Sequence, residues 1–168
     1  RDAYLRRVVL FSDVGQNQDK HRRFRAMCDA LRSHVEGSEH PGVVILRGAA
    51  GERRVLRNEA ELARRLHERH GLRILDPQRM GVPTLVAACA GARVVVGVEG
   101  SNLIHGILGL RPGGAVLALQ PPRRFVGLYK HLTDRDDQRF AFVVGRPVGD
   151  DFVVDPEEVE RTLDLLQT

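Results

Sequence analysis

The segment 92–110 constrains the fold more than any other part of the chain. Its β-branched run at 94–96 predicts a buried strand, and the apolar residues that follow Asn102 at helical spacing predict a helix. Two glycines, Gly97 and Gly100, join these elements. A strand that runs directly into a helix through a glycine turn is the building unit of a parallel α/β sheet.

The same turn predicts a place where an anion could bind. The amino end of a helix has unpaired N–H groups and partial positive charge, and both stabilise a phosphate group. A structural role also fits, with Ser101 as an N-cap and the glycines providing unusual backbone angles. The spacing matches neither Gly-x-Gly-x-x-Gly nor Gly-x-Ser-x-Gly, so a dinucleotide-dependent dehydrogenase and a hydrolase are both disfavoured.

Strands and helices alternate along the rest of the chain. Strands are predicted at 7–11, 43–46, 72–75, 94–96, 115–119 and 140–144, and helices at 19–35, 58–70, 80–92, after 100 and after 155. This alternation predicts an α/β fold with a doubly wound, mostly parallel sheet of five or six strands and helices on both faces. We expect one domain over residues 1–168. Because Arg1 stands in place of an initiator methionine, we also expect it to be a fragment of a longer chain.

Arginine accounts for 24 of the 26 basic residues, and the formal net charge is +4. The planar guanidinium group suits phosphate and carboxylate ligands. Arg47 follows a predicted strand and Arg54 precedes a predicted helix, so both flank the kind of loop where open parallel sheets bind ligands. Aromatic residues make up only 5% of the chain and do not alternate with basic ones, which argues against nucleic acid as a partner.

The two cysteines, Cys28 and Cys89, lie in helical patterns and lack the spacing of a metal site or a redox pair. We interpret them as reduced packing residues and expect a cytoplasmic location. No apolar run approaches the roughly 18 residues that a membrane span needs, and no signal peptide is recognisable. The sequence therefore predicts no transmembrane segment.

An ordered set of residues resembles the core of glycosyltransferase family 61. The set consists of Arg47, Arg54, Leu56, Asn58, Glu59, Glu61, Leu62, Gly71, the segment 92–103, and Gly113 with Gly114 before a strand. The family includes bacterial capsular-polysaccharide-type enzymes and eukaryotic enzymes that transfer N-acetylglucosamine or xylose. The resemblance covers about residues 43–120.

The resemblance implies a Rossmann-like nucleotide-sugar-binding domain, the C-terminal half of a GT-B-like enzyme. Such enzymes are inverting glycosyltransferases that usually need no metal or other cofactor, and their acceptor is a glycan or polysaccharide. By matching position, the donor-binding residues would be Arg47, Arg54, Asn58, Glu59, Gly97, Gly100, Ser101 and Asn102. Glu99 stands where family members often have histidine, and we take it as the candidate catalytic base.

Two alternatives stay open. The departures from the family pattern at Glu99 and Gln120 favour a non-catalytic Rossmann-like scaffold or partner-binding module. The basic face of the predicted helix 19–35 would also suit an anionic polymer. Because two-domain transferases often take the acceptor and the base from their other half, we expect this chain, taken alone, to be an incomplete or weakly active enzyme.

Overall fold

The computed structural model describes residues 17–35, 37–48 and 55–167. The predicted strand 7–11 and Arg54 lie outside the described residues. The helices are Gln18–Arg32 (α1), Glu59–His70 (α2), Val82–Ala90 (α3), Ser101–Gly109 (α4), Leu128–Asp134 (α5) and Pro156–Gln167 (α6). The strands are His40–Ile45 (β1), Arg73–Leu75 (β2), Ala92–Val98 (β3), Ala115–Gln120 (β4), Arg139–Val144 (β5), Arg146–Val148 (β6) and Asp151–Val153 (β7).

Strands β1 to β5 form one parallel sheet in the order β2-β1-β3-β4-β5. The order changes direction between β1 and β3, which makes their carboxyl ends a topological switch point. The predicted parallel α/β fold, with five strands and helices on both faces, is confirmed.

Two apolar layers cover the sheet. Val94, Val96 and Val98 pack with Leu66 of α2 and Leu163 of α6 on one face. The other face holds α1, α3, α4 and α5, whose core contacts include Phe24, Leu85, Ile107 and Tyr129. Because β3 is buried on both faces, its sequence is an almost continuous apolar run rather than an alternating one.

Helix ends agree with the sequence at two places and differ at two others. Gly71 ends α2 with a left-handed φ of 68°, and the side chain of Asp155 accepts a hydrogen bond from the Glu157 amide at 3.0 Å before α6. The Asn58-x-x-Glu61 spacing is typical of a capping box, but Asn58 makes no side-chain cap bond before α2, so that interpretation is wrong. Ser101 is the first residue of α4 and Gly100 is its N-cap, so the N-cap interpretation of Ser101 is also wrong.

The structure contains elements that the sequence did not predict. Helix α5 is short, and β6 and β7 form a small antiparallel hairpin. This hairpin is fastened to the segment before α2, where Leu56 and Phe152 form an isolated parallel bridge. The Arg57 amide donates to the Phe152 carbonyl at 2.9 Å, and the Phe152 amide donates to the Val55 carbonyl at 3.1 Å. Across 17–35, 37–48 and 55–167, no helix is long and apolar enough to cross a bilayer.

Candidate functional site

A buried arginine connects the ends of β1 and β3. Arg47 follows β1, is only 8% exposed, and donates from Nη1 to the backbone carbonyl of Glu99 at 3.2 Å. Glu99 is the residue directly after β3 and is 3% exposed. This bond therefore spans the switch point, the position at which open α/β sheets bind ligands.

Glu59 shapes the loop that carries Arg47. Its Oε1 accepts a hydrogen bond from the Arg47 amide at 2.8 Å, and its Oε2 accepts one from the Gly48 amide at 2.9 Å. Gly48 has a φ of 61°, a conformation that glycine adopts without strain. A carboxylate that accepts two backbone bonds fixes this turn, so both oxygens of Glu59 are engaged by the loop.

Asn58 serves a different part of the molecule, although it is adjacent in sequence. Its Nδ2 donates to the Val154 carbonyl at 2.9 Å, and its Oδ1 accepts from the Val154 amide at 3.3 Å. The structure thus ties Asn58 to the segment between β7 and α6. Both hydrogen bonds of the Asn58 side chain therefore go to Val154, which lies 96 positions along the chain.

Hydrogen bonds connect three polar atoms at the amino end of α4, which we call its mouth: the Gly100 nitrogen, the Tyr129 hydroxyl oxygen and Oε1 of Glu99. Gly100 has a φ of 155°, which side-chain-bearing residues rarely adopt, and its amide donates to the Tyr129 hydroxyl at 2.8 Å. The Tyr129 hydroxyl in turn donates to Oε1 of Glu99 at 3.4 Å. Sequence reasoning missed Tyr129, because nothing in the pattern predicted the short helix α5 that carries it.

Of the remaining predicted donor-binding residues, Ser101 and Asn102 lie at the start of α4, and Gly97 lies in β3. Ser101 is exposed, and Asn102 donates from Nδ2 to the Leu46 carbonyl at 3.5 Å, which ties α4 to the end of β1. Their amides belong to the first turn of α4, where helix geometry leaves N–H groups available to an anion.

Gly97 lies inside β3 and not in the expected loop. A Cβ atom at this position would be 3.1 Å from the Ile45 carbonyl oxygen and 3.4 Å from a Leu103 methyl group. Gly97 therefore permits close packing of β1, β3 and α4. Its contribution to the site is this approach of the backbones, rather than an unusual turn.

Gln120 positions the loop that follows β4. Its side chain is fully buried, donates to the Val126 carbonyl at 3.0 Å and accepts from the Val126 amide at 3.3 Å. This loop leads into α5 and hence to Tyr129. An uncharged amide, which can both donate and accept, satisfies both backbone groups of Val126.

The titratable thiols lie in the apolar layer. Burial raises the pKa of Cys89 to about 12. Burial, together with the charge of Asp136, raises the pKa of Cys28 to about 12 as well. Both side chains thus behave as packing residues. Within the described ranges, no three or more His, Cys, Asp or Glu side chains are grouped so that they could hold a metal ion.

Comparison with known families agrees with this geometry. The family model described as Glycosyltransferase 61 matches residues 3–117, which is more than half of the chain. The match includes β1, β3 and the mouth of α4, and therefore both sides of the switch point. No curated protein matches the chain. The chain belongs to glycosyltransferase family 61.

Proposed function

We propose that this domain binds the diphosphate of a nucleotide-sugar donor at the switch point between β1 and β3. The Arg47 guanidinium and the first-turn amides of Ser101 and Asn102 would together neutralise the phosphates. One observation carries the proposal: the bond from Arg47 to the Glu99 carbonyl brings a buried cation to the residue next to Gly100, the N-cap of α4. Family membership supports glycosyl transfer as the reaction.

The proposed reaction is inverting and metal-independent. The bond between the anomeric carbon and the phosphate oxygen breaks as the acceptor oxygen bonds to the opposite face of that carbon. The leaving nucleoside diphosphate gains negative charge, which the arginine and the helix amides stabilise. In a GT-B-like arrangement, a second half would face this edge and bring a glycan or polysaccharide acceptor of the capsular type. We propose a cytoplasmic location, since Cys28 and Cys89 are free thiols and do not form a disulfide.

Glu99 is our candidate for the base that takes the proton from the acceptor hydroxyl. Its carboxylate lies at the same helix mouth, where the Tyr129 hydroxyl holds Oε1. Replacement of Glu99 by glutamine keeps the shape and removes the basic oxygen. In an enzyme that carries both halves, Glu99→Gln is expected to retain nucleoside diphosphate binding and to lose the acceptor-dependent release of nucleoside diphosphate.

Calorimetric titration with uridine, guanosine and cytidine diphosphates tests the donor site. Ser101→Asp introduces a negative charge at the exposed first residue of α4, where it favours the helix and opposes a phosphate. We expect binding to weaken about tenfold or more, with no loss of thermal stability. Thr84→Asp is the matched control, because Thr84 is exposed in the first turn of α3. Equal binding by Ser101→Asp and the wild type would contradict the proposal.

Arg47→Gln is the complementary variant and should also weaken binding about tenfold or more. Because Arg47 is buried, its fold must be verified by circular dichroism, and Ser101→Asp keeps the test decisive if that fold is lost. The non-catalytic alternative is favoured by one contact, the Tyr129 hydroxyl that already accepts from the Gly100 amide. If none of the three nucleotides binds the wild-type chain, that alternative is the correct one.

A further inference from the structure

A polar cleft lies at the opposite edge of the sheet from Arg47. Its volume is about 470 Å³. Four arginines from four parts of the chain line it: Arg69 in the last turn of α2, Arg93 near the start of β3, Arg111 between α4 and β4, and Arg139 at the start of β5. The rest of the wall is formed by Pro41, His70, Val94, Gly113, Gly114 and Leu166.

Nearby carboxylates pair with three of these four arginines. Glu39 contacts Arg111 and lies 3.8 Å from Nη2 of Arg93. Glu160 lies 3.4 Å from Nη1 of Arg69, but it also pairs with Arg65.

In the described part of the chain, the side chain of Arg139 makes no ion pair or hydrogen bond. Arg139 therefore adds positive charge to the cleft that no ion pair among the described residues offsets. Of the four arginines that line the cleft, Arg93 and Arg111 share Glu39, and Arg69 shares Glu160 with Arg65 from outside the cleft.

Helix ends explain some of these arginines and leave others unexplained. The carbonyl end of a helix attracts cations, which accounts for Arg69 in the last turn of α2 and for Arg111 just after α4. Arg93 and Arg139 belong to strands, are exposed, and line the same cleft. Because like charges repel, the convergence of these side chains is unfavourable until an anion offsets it.

We propose that this cleft binds a small oxyanion with two or more phosphate or carboxylate groups, at a site separate from the donor site. The planar fork of arginine pairs with two oxygens of either group. The volume lies within the range of small-molecule sites, roughly 300–1,000 Å³. Gly113 and Gly114, together with the apolar side chains of Pro41, Val94 and Leu166, would enclose the ligand on its remaining sides.

Two-dimensional amide NMR of the chain during titration tests this site directly. Pyrophosphate and citrate are the two probes, and their relative affinities distinguish a phosphate ligand from a carboxylate one. We expect shifts at Gly113 and Gly114, and an affinity that falls with added salt. The double variant Arg93→Gln with Arg139→Gln should weaken binding about tenfold or more. Arg146→Gln, exposed on β6 and outside the cleft, is the control.

The donor-site variant separates this proposal from the proposed function. Ser101→Asp should leave pyrophosphate binding at the cleft unchanged while it weakens nucleotide binding at the switch point about tenfold or more. Loss of pyrophosphate binding in Ser101→Asp would mean that the anion occupies the donor site, and the cleft proposal would be wrong. Wild-type affinity in the double variant, or no shift at Gly113 and Gly114 with either probe, would also overturn it.

Discussion

The hydroxyl oxygen of Tyr129 lies 2.8 Å from the backbone nitrogen of Gly100 and 3.4 Å from Oε1 of Glu99. One phenol therefore satisfies an amide at the mouth of α4 and holds the carboxylate beside it. The family resemblance predicts that Gly100 binds the phosphates of the donor. With Gly100 engaged by Tyr129, the amides that remain for a diphosphate are those of Ser101 and Asn102, deeper in the first turn.

Tyr129→Phe tests this arrangement. The ring keeps its packing, but the Gly100 amide and Oε1 of Glu99 each lose a partner in a buried place. We expect the free energy of unfolding in urea to fall by about 1–3 kcal/mol. Nucleoside diphosphate affinity should stay within about twofold of the wild type, a change of less than roughly 0.5 kcal/mol. A variant as stable as the wild type would show that the two bonds contribute nothing.

Asn58→Ala should affect stability and spare the donor site. The substitution removes both hydrogen bonds to Val154 and leaves those two backbone groups without a protein partner. We expect unfolding free energy to fall by about 1–3 kcal/mol, measured by urea denaturation. Nucleotide affinity measured by calorimetry should not change, since both hydrogen bonds of the Asn58 side chain go to Val154. A large loss of nucleotide affinity in a folded variant would mean that Asn58 does take part in donor binding.

Glu59→Gln should have the opposite profile. Glutamine presents one oxygen and one NH₂ group to two backbone N–H donors, so one of the bonds to Arg47 and Gly48 must break. The loop that carries Arg47 would shift, and we expect nucleoside diphosphate affinity to fall about tenfold. Glu61→Gln, at an exposed position on the same helix, is the control. Unchanged affinity would show that the turn after β1 tolerates the loss.

The sequence was informative where a single residue determines local geometry. Gly71 and Asp155 predicted the end of α2 and the start of α6 because their effects are confined to one turn. The β-branched run in β3 predicted a strand buried on both faces. Position beside a strand-to-helix loop distinguishes Arg47 and Arg54 among the 24 arginines, and Arg47 lies at the switch point, while Arg54 is outside the described residues.

The parts that sequence reasoning missed depend on distant partners. Asn58 stands at a helix start, but Val154 captures its side chain, and no local pattern reveals a partner so far along the chain. Helix α5 is only seven residues long, too short for an apolar period to be recognised. The strands of the β6–β7 hairpin have three residues each, which is also below the length that alternation can identify.

The pH dependence of stability should include a contribution from Glu160. Hydrogen bonding from Arg65 holds the pKa of Glu160 below its ordinary value of 4.5. A carboxyl group with a lowered folded-state pKa stabilises the fold fully above its unfolded-state pKa, and this stabilisation disappears as the pH falls through the folded-state value.

Glu160→Gln should therefore be less stable than the wild type by about 1 kcal/mol at neutral pH. The difference should shrink as the pH falls below 4.5 and through the lowered folded-state pKa of Glu160, where the wild-type carboxyl becomes protonated. Urea midpoints at several pH values measure it, with Glu68→Gln on the exposed side of α2 as the control. If the difference in stability between Glu160→Gln and the wild type stayed constant with pH, this ionic contribution would be ruled out.

The two thiols should resist modification in the folded chain. Burial raises the pKa of Cys28 and Cys89 to about 12, so at pH 8 very little thiolate is present and the sulfur atoms are inaccessible. Reaction with dithionitrobenzoate should be at least about a thousandfold slower than in the urea-unfolded chain, where both thiols have ordinary pKa values. Rapid labelling of either thiol without denaturant would contradict their burial.

The fastening of the β6–β7 hairpin to the segment before α2 has a consequence for biosynthesis. Asn58 and Val154 are 96 positions apart, and chains emerge from the ribosome amino end first. The stretch that leads into Glu59 must therefore wait for almost the whole domain to be translated before it acquires these contacts. Closing so long a loop also slows folding. All five strands of the parallel sheet precede the hairpin in the chain, so the sheet can form before the segment that leads into α2 is fastened.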